Sequence, residues 1–360
     1  MNILALNSGS STLKLGLYRV DASGIETLRS ETVARSDDAD SSTLLGDFLA
    51  ERGMPAPAAI GHRIVHGGPK LRQHCRIDDA VLRQLQAAAA FAALHTPAAL
   101  ALIRFAQQHF PGLPQVVCFD TQFHADLPEV ARPLPIAREL LSDGIQRYGF
   151  HGLSLESIVR QLGRDLPQRL IVAHLGNGAS ITAVKSGKSI DTSMGLTPSG
   201  GVIMGTRSGD LDPGVLVYLM RAKKFDAARL EALVDQRSGL RGIAGVSSDL
   251  RRLHAAAAAN PDARLAIEMF CASVRKQIAA MIAVLDGLDL LVFTGGIGEN
   301  DAQVRTEICN GLSWLGVSLD ASRNRSASNP VNDGASRCQV HVLASQEDEQ
   351  IARPTWALLA

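Results

Sequence analysis

Ile3-Leu4-Ala5-Leu6-Asn7-Ser8-Gly9-Ser10-Ser11-Thr12-Leu13-Lys14 and Ile171-Val172-Ala173-His174-Leu175-Gly176-Asn177-Gly178-Ala179-Ser180-Ile181-Thr182 follow one plan twice. Each has an apolar strand, a small polar glycine turn and a return to alternating residues, which reads as a β-hairpin whose turn faces a ligand. A third glycine turn, Gly295-Gly296-Ile297-Gly298-Glu299-Asn300, follows the apolar run from Leu290 to Thr294. Glycine lets backbone amides approach an anion, while Ser, Thr and Asn side chains add neutral donors. Together the three loops predict a site that holds a nucleotide's phosphates from several sides. The similarity of the first two predicts two related halves rather than a short-period solenoid.

A chain of 360 residues exceeds one ordinary core and predicts two domains with a ligand cleft between them. Lys plus Arg and Asp plus Glu both number 36, so no strong net field recruits nucleic acid or an acidic membrane, and a small anionic ligand must be held locally. No run of eighteen apolar residues occurs. The N-terminus enters a strand at once, which predicts a protein that is not secreted. The five cysteines, Cys75, Cys118, Cys271, Cys309 and Cys338, include no Cys-x-x-Cys pair and read as buried free thiols in a reducing cytoplasm.

Along the chain, Ser36 to Ser42 and Met54 to Ala59 read as surface connections. Ala59 to Gly68 is a strand entering a glycine turn. Asp78 to Leu94 reads as a helix with Asp78 as N-cap, and Pro97 starts the next, which ends near His109. Gln115 to Phe119 is a strand that delivers Asp120 at its carboxyl end, where such sheets place chemistry. A helix is expected from Ser154 to Leu162, and long helices from Pro261 to Leu285 and from Asn300 to Leu315. Asp191 to Pro213 is too rich in Gly, Ser and Thr for a core element, and a loop of that length around Met204-Gly205-Thr206-Arg207 points to function. Alternating strands and helices in two hairpin-bearing halves give an α/β fold.

These motifs resemble the acetate kinases, of the acetate and sugar kinase, heat-shock ATPase and actin superfamily. The resemblance runs in order through Asn7 to Lys14, Gly61 to Gly68, Phe119 to His124, Tyr148 to Gly152, His174 to Gly178, Met204 to Pro213, Phe293 to Asn300, and Glu347 followed by Ile351-Ala352-Arg353. It implies a two-domain actin-like ATPase fold of duplicated ribonuclease H-like domains with the active site in the interdomain cleft. Residues 1–121 plus 349–360 would form the N-terminal domain, and 122–348 the nucleotide-binding and dimerisation domain of a cytoplasmic homodimer. The implied reaction is reversible in-line phosphoryl transfer from ATP to acetate, giving acetyl phosphate and ADP, with Mg²⁺ or Mn²⁺ as cofactor.

Carried over position by position, Arg63, Asp120, His151 and Arg207 are the implied catalytic residues, with His151 and Arg207 stabilising the transition state. Arg63, Val65, Leu94, Phe150 and Pro198 would bind the acyl substrate. Lys14, His174, Asn177 and Gly178 with Asp249, Leu250, Arg251, Gly296, Ile297 and Asn300 would bind ATP. Ser10 and Thr12 would meet phosphate, and Asn7 and Glu347 the metal. His62, His66 and His124 read as structural hydrogen-bonders. The chain departs from the family pattern at Leu155, where a histidine is usual, at Thr12 for serine, and at Ser199-Gly200 for a Leu-Glu pair.

Phosphoryl transfer needs in-line placement and charge stabilisation on the equatorial oxygens, which two guanidiniums and a metal supply without covalent chemistry. Acetate is already ionised near neutrality, so Asp120 would orient metal-bound water or an arginine. With a sugar hydroxyl as acceptor it would be the general base. Propionate or another short-chain acid is an alternative acceptor, and a nucleotide switch that transfers to no acyl group is an alternative of another class. The set Arg63, Asp120 and Arg207 separates them, since a switch does not require it.

Overall fold

The structure, a computed structural model, describes residues 1–9, 12–34, 48, 55–92 and 95–360. Its strands are β1 (Asn2–Ser8), β2 (Thr12–Asp21), β3 (Gly24–Ala34), β4 (Ala59–Ile64), β5 (Cys75–Arg76), β6 (Gln115–Phe119), β7 (Arg169–Leu175), β8 (Ala179–Lys185), β9 (Lys188–Thr192), β10 (Leu290–Thr294) and β11 (Gln339–Val342). They form two sheets, ordered β3-β2-β1-β4-β6-β5 and β11-β10-β7-β8-β9. In both, a first strand pairs antiparallel with a meander of two and parallel with two crossover strands. Thus β1, β2, β3, β4 and β6 correspond in order to β7, β8, β9, β10 and β11. This is the duplicated architecture of the actin-like ATPases, and it places each glycine hairpin turn at the carboxyl end of a central strand.

The central strands are buried on both faces, which is why they read as continuous apolar runs. Leu4 and Leu6 pack on one side of β1 with Leu102 and Ala106 of the helix Thr96–His109. Ile3 and Ala5 pack on the other with Leu153, Ile351 and Ala352. The last two belong to the C-terminal helix, Glu347–Ala357, so the end of the chain covers the sheet with which the chain begins. Gly61 of β4 permits the close approach: a Cβ there would overlap Thr355 Oγ1 and lie 2.7 Å from Ile351 Cγ2. In the second sheet the helix Pro261–Leu285 brings Phe270, Val274 and Ile278 into one core with Ile171, Ala173 and Ile181. The opposite face carries Leu170, Val172 and Val292 against Leu155 and Ile158 of the helix Gly152–Leu162. Leu155 is therefore core, its side chain sequestered from solvent among apolar neighbours.

Three sequence expectations are corrected. Asp78 does cap its helix, accepting from the Val81 amide at 2.7 Å, but that helix ends at Ala87 and passes into a 3₁₀ turn over Ala89–Ala92. The alanine run lies against Gly68, where a Cβ would come within 2.8 Å of Ala88 Cβ. The segment expected as one helix from Asn300 to Leu315 is broken: Asp301 caps a new helix, Ala302–Asn310, and a 3₁₀ turn follows at Ser313–Leu315. The third glycine segment is no open loop, because Gly295–Asn300 is itself a short helix.

Candidate active site

The carboxyl ends of β1, β4 and β6 converge on one charged network. Asp120, directly after β6, grips Arg63 of β4: Nε donates to Oδ1 at 2.9 Å and Oδ2 at 3.0 Å, and Nη2 donates to Oδ2 at 2.6 Å. Arg63 Nη1 donates to Asn7 Oδ1 at 2.9 Å, and Asn7 Nδ2 turns to the C-terminal helix, reaching Asp348 Oδ1 at 2.7 Å and Glu347 Oε2 at 3.4 Å. Burial pushes the Asp120 carboxyl upward and the Arg63 guanidinium opposes it. Every hydrogen bond it makes to Arg63 is accepted, so the pair is built around the ionised carboxylate. Burial likewise opposes charge on Glu347, yet Arg63, Lys14 and the hydrogen bond from Asn7 hold its carboxyl below the usual range.

Across the cleft, the rings of His151 and His174 stack with centroids 4.1 Å apart. His151 Nδ1 lies 2.9 Å from Ser180 Oγ and His174 Nδ1 lies 2.9 Å from Ser154 Oγ. Burial pushes both imidazoles down, His174 to about 4 and His151 further because His174, Arg63 and Arg207 add to it, so both are neutral near pH 7. His151 adopts φ 59°, a left-handed conformation that starts the helix Gly152–Leu162 and aims the ring at the β7–β8 turn. Arg207 arrives from the glycine-rich segment, 8% exposed, with Nη1 donating to Pro198 O at 3.3 Å. A Cβ on Gly178 would stand 3.1 Å from Arg207 Nη1 and 3.2 Å from His151 Nε2, so the missing side chain leaves one point within reach of both groups.

Two cavities share this turn as a wall. The smaller, about 170 Å³, is lined by Asn7, Thr12, Lys14, Arg63, Asp120 and Glu347 from the first half and by His151, His174, Gly178 and Arg207 from the second, with Val65, Phe150 and Pro198 as its apolar wall. The larger, about 820 Å³, contains Asp249, Leu250, Arg251, Gly296, Ile297 and Asn300. Asn177 lines both. Asp249 caps the helix Leu250–Ala256, accepting from the Arg251 amide at 3.0 Å, and clamps the Arg251 guanidinium. The amide of Gly295 is engaged by Glu299 Oε1 at 3.0 Å, so it is Gly296 and Ile297 that face the cavity.

Every site residue inferred from sequence therefore lines one of the two cavities, apart from Ser10 and Leu94, which lie outside the described residues. His62, His66 and His124 do not line them. His62 bonds Gln115 at 2.8 Å and His124 bonds Ser189 and the Phe150 carbonyl. Sequence reasoning missed His95, which lines the small cavity, and His254 and Asp301, which pair at 2.9 Å in the large one. It also missed Asp348. For His95 a signal existed, since it immediately precedes the helix start at Thr96-Pro97. The others sit on helices whose orientation the pattern does not specify.

Among the described residues, no group of three or more His, Cys, Asp or Glu side chains is arranged to cage a metal. Glu347, which lines the small cavity, and Asp348 instead offer two adjacent carboxylates beside Asn7. That sparse oxygen set suits Mg²⁺, which keeps several waters and takes one or two carboxylates plus substrate phosphates.

The acetokinase family profile matches residues 54–353. The acetate kinase of Thermosynechococcus vestitus is 46% identical over 309 residues, 84% of this chain and 74% of that protein. Among solved structures, a propionate kinase from Francisella tularensis superposes with a TM-score of 0.91 at 37% identity over 99% of both chains. Porphyromonas gingivalis acetate kinase does so with a TM-score of 0.87 at 32% identity over the whole of both.

Proposed function

The chain belongs to the acetokinase family, and from that premise we propose that it is an acetate kinase, moving a phosphoryl group reversibly between ATP and the carboxylate of acetate. The observation that carries this reading is the wall that the cavities share at Asn177. A nucleotide-sized pocket lies beside a small one bearing two guanidiniums and an apolar wall. About 170 Å³ must hold both acceptor and transferring phosphoryl, which suits a two-carbon acid and not a hexose. Asp120, committed to Arg63 by three hydrogen bonds, orients an arginine and is not free to act as a base, which disfavours a sugar acceptor.

In this reading Val65, Phe150 and Pro198 receive the methyl group and Arg63 the acetate carboxylate, held in one orientation by Asp120 and Asn7. Arg207 and the neutral His151 converge above Gly178, where the equatorial phosphoryl oxygens gather charge in flight. His174, Asn177, Gly178, Thr12 and Lys14 steady the phosphates, and the larger cavity takes the adenosine. Mg²⁺, or Mn²⁺ in its place, would be held by Glu347 with Asp348 and Asn7 alongside, and would supply positive charge to the phosphate oxygens. In this reading transfer is direct and in line, from the nucleotide to the acetate oxygen.

The same reading assigns 1–121 plus 349–360 to one domain and 122–348 to the other. It makes the protein a cytoplasmic homodimer. Support for the location comes from cysteines that are all unpaired, and support for the dimer from Leu211, Val215, Val217, Tyr218 and Met220, apolar and exposed on or beside the helix Pro213–Lys223. Incubation with ATP, Mg²⁺ and acetate tests the function: acetate-dependent ADP and a hydroxamate-trappable acyl phosphate are expected, and ADP without a trappable product would overturn it. Propionate run beside acetate tests the second reading, in which the apolar wall of Val65, Phe150 and Pro198 receives a longer acyl chain.

A further inference from the structure

Away from the cleft, a cavity of about 500 Å³ opens between the β2–β3 turn and the C-terminal helix. Its lining includes His74, Glu156, Gln350, Arg353 and Trp356. The carboxylates there have neutral donors: Glu156 Oε2 accepts from Gln350 Nε2 at 3.0 Å and lies 3.5 Å from His74 Nε2. At the turn, Asp21 Oδ1 accepts from the amides of Ser23 and Gly24. The positive charge is not committed. Arg353 makes no hydrogen bond or ion pair with any described residue, and its Nε is shielded from solvent without an acceptor. Arg160, its cationic neighbour, has Glu349 at 3.9 Å as its only carboxylate contact among the described residues.

An arginine lining a cavity with its planar fork unpaired is the chemistry of carboxylate capture, because a guanidinium half out of water gains most from a bidentate anion. Trp356, partly buried on the same helix, adds an indole face and a donor N–H. We propose that this cavity is a second ligand site, for a small organic carboxylate anchored on Arg353 against Trp356, and that its occupancy acts on the cleft. The connection is covalent and short. The helix that presents Gln350, Arg353 and Trp356 begins with Glu347 and Asp348, and the helix that presents Glu156 begins beside His151. Anchoring Arg353 therefore loads the element that carries the cleft carboxylates. This second half rests on the phosphoryl-transfer reading; the first does not.

The chain has two tryptophans, and Trp314 is 73% exposed, so Trp314→Phe leaves Trp356 as a single fluorescent reporter of the cavity. In that background malonate is titrated at constant ionic strength, with chloride as control. A saturable change in Trp356 emission is expected. It should weaken by about tenfold or more in Arg353→Gln, since a charged hydrogen-bond anchor is lost, and survive unchanged in Arg207→Ala, which removes a cleft cation. Should Arg353→Gln fail to fold, Ala22→Glu on the exposed turn should weaken binding by placing a like charge at the mouth. No saturable change at millimolar malonate, or a change lost in Arg207→Ala and kept in Arg353→Gln, overturns the site. For the coupling, malonate should shift the acetate KM of the Arg353 protein and leave that of Arg353→Gln unmoved; an equal shift in both overturns it.

Discussion

His151 and His174 stack face to face at 4.1 Å, and each has its Nδ1 tied to a buried serine. Neither ring can accept a proton cheaply, because burial disfavours the charge and each ring would face the other's. The same burial holds His62, His66 and His124 at about 4, against the ordinary 6.5.

That has a signed consequence for stability. A histidine whose folded pKa is depressed binds fewer protons in the native state than in the unfolded chain, so stability rises with pH between the two values. Urea midpoints should be flat above about pH 7 and fall steadily from pH 6.5 toward 4, as the unfolded state takes up protons that the folded state refuses. Each unit of depression corresponds to about 1.4 kcal/mol. His124→Asn, which removes a titrating ring that does not line either cavity, should make that slope shallower; an unchanged slope would show that His124 does not contribute to it.

The Asp120 carboxylate holds Arg63 at 2.6 Å. In Asp120→Asn the guanidinium loses its counter-charge and its fixed orientation, so kcat/KM for acetate should fall by about 10² or more. On the proposal that Asp120 acts through Arg63 and not as a base, the residual activity should keep the wild-type pH profile. Loss of an acidic limb from that profile would mean Asp120 titrates in the reaction.

Among the described residues Arg207 has only a carbonyl and a thioether as hydrogen-bond acceptors, Pro198 O and Met204 Sδ, and burial lowers its pKa. A cation held this loosely in the ground state is available to the transition state. Arg207→Ala should reduce kcat by roughly 10³ to 10⁵ while the ATP KM changes by less than about tenfold. Lysine should rescue poorly, lacking the planar fork. Turnover of the alanine variant within tenfold of wild type would make Arg207 structural.

Val65 stands in the wall of the small cavity, 8% exposed. Trimming it to alanine should move the propionate-to-acetate ratio of specificity constants toward propionate, since one methylene in an apolar pocket is worth about 1 to 3 kcal/mol. A constant ratio would place the acyl chain elsewhere.

Asp249 both caps its helix and clamps Arg251. Asp249→Ala should raise the ATP KM far more than the acetate KM. Equal changes in both would refute the adenosine placement.

Much of this was legible in the residues because the information is local. A glycine turn after an apolar strand, Asp120 at a strand's end, and the long helix Pro261–Leu285 each follow from the period of the pattern and the identity of a cap. The third glycine segment was misread as a loop since Gly295–Asn300 carries the same composition as a turn. What makes it helical is its seat on β10, with Glu299 satisfying the amides of Gly295 and Ser345. The break at Asp301 was missed for a similar reason: its carboxylate has two tasks, capping Val304 and pairing with His254, and only the second needs a neighbour from another helix.

By itself, then, the sequence determined the duplication, the strand ends and the residue types of the site, because hairpin periodicity and glycine turns are written within a dozen consecutive residues. Only the tertiary structure decided that Asp120 binds Arg63, that Leu155 belongs to the core, and that the Arg353 side chain lines a cavity without a partner among the described residues. Those facts depend on contacts between residues far apart in the chain, Arg63 with Asp120 across two parallel strands and the C-terminal helix with the first sheet. They arise from how buried charge finds or fails to find a counter-charge, which no local pattern records.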